Sequence, residues 1–161
     1  MTEALSRRLK QTKFVSPQQE ALLSLAVAAG TISDLMDEVC ERHDLTRQQY
    51  NVLRILRGVY PEGHPRCAIA ERMIERAPDV TRLVDRLQAR GLVRRQRGGH
   101  DQRQAITRIT PKGLKLLEAI QPEVDSQTAT HLRNLSEEDC HELSRLCGLL
   151  FDGDPVNRCP Q

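Results

Sequence analysis

Aromatic side chains are nearly missing from this chain of 161 residues, which has two Phe, two Tyr and no Trp. Pockets for flat ligands are commonly walled by such rings, and only Phe14, Tyr50, Tyr60 and Phe151 could serve here. Close cysteine pairs are also lacking. Cys40, Cys67, Cys140, Cys147 and Cys159 form an odd set without a CxxC. That pattern argues against a secreted disulfide framework and against a zinc ribbon, and for a reducing cytoplasm. The histidines (His43, His64, His100, His131, His141) show no HExxH and no paired ligand spacing, so no metal set is expected. There is no glycine-rich phosphate loop, nucleophile motif or converging carboxylate pair, so neither an enzyme nor a cofactor is expected. The apolar run at 21–29 is too short to cross a membrane. Its Ala-x-Ala ending superficially resembles a signal peptide, but the apolar periodicity runs on to Val39, which predicts a buried helix in a cytoplasmic protein.

Charge is abundant and unevenly placed. The formal net charge of +2 conceals twelve Lys+Arg against five Asp+Glu between residues 66 and 113, a local charge of +7, with −5 on the remainder. Such one-sidedness suits a polyanion site attached to an ordinary soluble body.

The punctuation of the chain is regular. Ser16, Thr46, Thr110 and Ser136 each stand where a hydroxyl can accept from the free amides of a first helical turn. Pro17 and Pro111 follow two of them at a position that needs no N–H. Thr46 with Gln49 spells a capping box, flanked by Leu45 and Tyr50 as a staple. Helices are predicted over 16–43, 46–57, about 67–74, 78–90, 110–133 and from 136 onward, with a loop at 58–65. In the first, Leu22, Leu25, Ala29, Ile32, Met36 and Val39 make a narrow seam of the kind that meets another helix. Residues 92–97 and 104–109 read as two strands of a hairpin turning at Gly98 and Gly99. The fold class is thus mainly α with a small β-hairpin.

The chemistry concentrates between Ala77 and Thr110. With Val80, Leu83, Val84 and Leu87 facing inward, Arg82, Arg86 and Arg90 align on another face of helix 78–90, beside Thr81 and Asp85. A helix that hides one face and shows guanidinium groups, followed by a basic finger, fits double-stranded DNA. Thr81 and Arg82, near the amino end, are expected to reach base edges or adjacent phosphates, and Arg86 and Arg90 to hold phosphates. Arg94, Arg95 and Arg97 should add sequence-independent affinity. Asp79 has three readings: accepting from a cytosine amino group, orienting Arg82, or resting on the positive end of the helix dipole.

These residues resemble the MarR (multiple antibiotic resistance regulator) family. The similarity lies in Leu45-Thr46-x-x-Gln49-Tyr50, Ile69-Ala70-Glu71-Arg72-Met73, Val80 to Leu87 followed by Gly91-Leu92-Val93, Asp101-Gln102-Arg103, and Ile109-Thr110-Pro111-Lys112-Gly113. The resemblance implies a winged helix-turn-helix over 45–110, flanked by dimerisation helices at 16–43 and 111–151, with a flexible tail at 152–161. It also implies a homodimer, a pseudo-palindromic operator, a wing at 97–104 carrying Arg103 into the minor groove, and Asp101 holding that guanidinium. Repression is the family's commoner mode, with release by a small-molecule effector or by cysteine oxidation. Cys67, beside Arg66 near a helix start, is the thiol best placed for oxidation, although its burial as a structural residue is the simpler reading. The alternative function is a winged-helix module that binds proteins and no operator.

Overall fold

The computed structural model describes residues 3–11, 13–75, 77, 79–97 and 105–151. Two compact units divide at Glu38 and Val39. The first holds α1 (Glu3–Leu9), where Leu5 is buried, and most of α2 (Pro17–Arg42). Helix α1 was not anticipated, since seven residues with one buried side chain give little periodicity. The second unit contains α3 (Arg47–Arg57), β1 (His64–Pro65), α4 (Arg66–Arg72), α5 (Val80–Ala89), β2 (Val93–Arg97), β3 (Ala105–Ile109), α6 (Pro111–Leu132) and α7 (Glu137–Phe151). None of the described helices is long and apolar enough to cross a membrane.

All four hydroxyl caps form. Ser16 Oγ accepts from Gln19 N at 3.2 Å, Thr46 Oγ1 from Gln49 N at 3.2 Å, Thr110 Oγ1 from Gly113 N at 3.1 Å and Ser136 Oγ from Asp139 N at 3.1 Å. Gln49 completes the capping box by accepting from Thr46 N at 3.0 Å. Ser136 donates to the Asp139 carboxylate through hydroxyl and amide, and these bonds hold that carboxyl below its ordinary range.

The expected hairpin gains a third strand, giving the order β1-β3-β2, so the segment ending the predicted loop is partly strand. β1 pairs His64 with Thr107 and Pro65 with Ile106. Proline lacks a donor and is therefore confined to an edge such as this one. Gly63 (φ +87) delivers the chain there, and a Cβ on it would lie 2.3 Å from the Thr107 carbonyl oxygen. No side chain fits.

The core of the second unit is built from Leu53 and Leu56 of α3, Ile69 of α4, Val84 and Leu87 of α5, Leu92, Val93, and Leu117 and Ile120 of α6. Helix α5 buries Val80, Leu83, Val84 and Leu87, as its spacing predicts. Truncating such a residue to alanine typically costs about 2–5 kcal/mol, which fixes how deeply α5 is seated. At the start of α6 the backbones pack so closely that a Cβ on Gly113 would lie 2.4 Å from the Leu92 carbonyl oxygen.

Candidate nucleic-acid interface

Helix α5 begins with Asp79, whose Oδ1 accepts from the main-chain N of Arg82 at 3.0 Å. The carboxylate is therefore engaged in closing the helix end, a capping role that none of its three readings named. Asp85, nearly two turns further on, lies 2.5 Å from Arg95 Nη1 of β2. At an exposed site such a pair stabilises the fold by at most about 1 kcal/mol. Its larger effect is electrostatic, because Asp85 of α5 and its N-cap Asp79 are both engaged while Arg82 and Arg86 stay exposed.

Two of the arginines expected at phosphates have internal roles. Arg90 turns its guanidinium back, with Nη2 donating to the His43 carbonyl at 3.4 Å and Nη1 to the Asp44 carbonyl. It sits just past the last turn of α5 and ties that turn to the carboxyl end of α2, where orphan carbonyls need donors. Arg95 spans from β2 to α5, donating to the Thr81 carbonyl at 3.3 Å as well as to Asp85. A long side chain follows its nearest acceptor, which periodicity does not reveal.

Arg94 is exposed on β2 and stands directly opposite Arg108 of β3. Like charges in register destabilise a sheet, and the Nε of Arg108 is buried with no hydrogen-bond partner. A polyanion over this face would relieve the repulsion. Arg108 was not singled out in the sequence, and Arg66 only as the neighbour of Cys67. Arg66 Nη1 donates to Thr81 Oγ1 at 3.0 Å, and the only sequence signal for either residue at this interface was the local excess of positive charge. The Arg97 backbone pairs with Ala105 at the end of the sheet. Asp101, Arg103 and most of the expected wing 97–104, together with the tail 152–161 and Pro78, lie outside the described residues.

Cys67 is half-buried in the first turn of α4. Cys140 and Cys147 are half-buried on α7, a helix with no buried residue at all. Among the described residues no group of His, Cys, Asp and Glu is arranged to hold a metal ion.

Comparison with known proteins agrees with this geometry. The MarR family profile matches residues 45–105. The HTH-type transcriptional regulator MhqR of Bacillus subtilis (strain 168) is 30% identical over 129 residues, covering 78% of this chain and 87% of that protein. Among solved structures, a MarR transcription factor from Planctomyces limnophilus is 40% identical with a TM-score of 0.66, covering 85% of this chain and 99% of that one. The S. aureus MepR–DNA complex shares the fold at 23% identity and a TM-score of 0.71, over 80% of this chain and 94% of that one. A capped, arginine-bearing helix beside a basic sheet, with relatives that are transcription regulators and not enzymes, places this chain in the MarR family of DNA-binding transcriptional regulators.

Proposed function

We propose that the protein is a homodimeric repressor that binds a pseudo-palindromic operator. Helix α5, within the expected 78–90 span, enters the major groove with Thr81, Arg82 and Arg86. The wing at 97–104 reaches the adjacent minor groove through Arg103, which Asp101 orients. Arg94 and Arg97 add contacts to the phosphates, whereas Arg90 and Arg95 contribute by positioning α5.

The observation that carries this reading is the division of charge on α5: Asp79 caps the helix and Asp85 meets Arg95, while Arg82 and Arg86 remain exposed. MepR, which shares this fold, was solved on DNA. Support for the dimer comes from apolar surface. Leu22 and Ile32 of α2 are 67% and 55% exposed, and Leu143, Leu146, Leu149, Leu150 and Phe151 of α7 are all exposed. Soluble monomers seldom leave such faces open, and two-fold pairing covers them together. Accordingly, 16–43 and 111–151 serve as the dimerisation segments around the 45–110 reading unit. Release follows binding of a small ligand or an oxidation for which Cys67 is the candidate thiol.

The test is selection of bound sequences from random duplex DNA by the purified full chain. The expected product is an inverted repeat with half-sites about one helical turn apart. Binding should weaken steeply with salt. Failure to retain any duplex at low ionic strength would overturn the proposal.

A further inference from the structure

Thr81 is held from two sides. Its hydroxyl oxygen accepts from Arg66 Nη1 of α4 at 3.0 Å, and its carbonyl accepts from Arg95 Nη2 of β2 at 3.3 Å. Arg95 is itself anchored on Asp85 at 2.5 Å. The residue therefore sits in a fixed pose on the first turn of α5.

The direction of the first bond matters. A guanidinium has donors only, so toward Arg66 the Thr81 hydroxyl must accept, and its own proton points elsewhere. Helical threonines often direct that proton to the carbonyl four residues earlier. Thr81 is the second residue of α5, so the residue four earlier, Ala77, precedes the helix. Among the described residues, no acceptor receives a hydrogen bond from the Thr81 hydroxyl.

We infer that Arg66 sets the hydrogen-bond polarity of Thr81, making it a donor to an acceptor atom on a base edge: purine N7, guanine O6 or thymine O4. This rests on the operator reading above. A hydroxyl without a fixed neighbour can face either kind of edge, because it both donates and accepts. With one of its two lone pairs taken by Arg66 and its proton left to donate, Thr81 favours an acceptor edge over the cytosine amino group, which only donates. Arg66 is thus a positioning residue that acts through Thr81.

The experiment compares sequence selection by the full-length wild type, Thr81→Val, Arg66→Ala, Arg66→Lys and the Arg66→Ala/Thr81→Val double variant. The wild type should disfavour cytosine at one position in each half-site. Thr81→Val keeps the shape but lacks the hydroxyl, and should lose roughly three- to tenfold of that discrimination while the rest of the site is preserved. Arg66→Ala should relax the same position, and the double variant should relax it no further. Arg66→Lys still donates and should retain the preference. If Arg66→Ala weakens every sequence equally and leaves that position unchanged, Arg66 is only a phosphate clamp and the inference falls. Unaltered selection by Thr81→Val would also overturn it. If the wild type itself retains no duplex, the operator reading has failed, a result separable from either of these.

Discussion

Asp79 and His64 each bear on the stability of the fold, by different means. Replacing Asp79 with alanine leaves the Arg82 amide without its acceptor. Loss of such a cap should lower stability by about 1 kcal/mol in denaturant titration. A variant that unfolds at the wild-type midpoint would place the carboxylate outside the fold's support. His64 behaves differently. Burial first, and the nearby Arg72 second, lower its pKa from the ordinary 6.5, so the folded state favours the neutral ring. Its contribution to stability is present above pH 6.5 and is lost as pH falls through the lower folded-state value, because the unfolded chain binds the proton first. Melting temperature should therefore drop more steeply below pH 6.5 for wild type than for His64→Gln, and parallel curves would contradict this. The sequence disclosed the positions of Asp79, Arg90 and Arg95 on or beside one helix. It could not disclose that the latter two reach His43, Asp44 and Asp85, because flexible side chains choose acceptors supplied by distant segments.

At the level of elements, the caps and the apolar spacing of α5 were legible because both depend on residues within one or two turns of each other. Strand β1 was not, since a His-Pro pair carries no alternation and acquires its partner only when β3 lies beside it. In the β2–β3 ladder, Arg94 and Arg108 face each other across the strands. Arg94→Thr should stabilise the isolated protein by a few tenths of a kcal/mol, most clearly at low salt, while weakening DNA affinity. Thermal melts at two ionic strengths, paired with a binding titration, check both signs. Lower stability in the variant would mean that an unseen contact of Arg94 outweighs the repulsion. A second junction joins α2 to α6, where Glu123 lies 3.1 Å from Arg42 Nε and 3.3 Å from His43 Nε2. Arg90 donates to the same end of α2, so three helices share one corner.

For the molecule as a whole, the open apolar face of α7 predicts its own test. If the proposed dimer pairs through this face, Leu146→Glu, which sets a charge among Leu143, Leu149 and Leu150, should shift sedimentation from dimer to monomer. Operator binding should fall with it, because half-site affinities no longer combine. A variant that remains dimeric would move the pairing surface elsewhere. The end of α5 and the start of α6 are fastened at several points. Lys112 Nζ donates to the Arg90 carbonyl at 2.8 Å, and Thr110 Oγ1 to the Gly91 carbonyl at 2.8 Å, beside the close approach at Gly113. Helix α6 has 22 residues, or about 33 Å of length. Turned as a lever about one end, it sweeps roughly 3.4 Å at the other for a tilt of about 6°, and 3.4 Å is one base-pair step of a duplex. On the proposed mode of release, an effector acting far from the groove need move this rod no further than that to put α5 out of register with the bases.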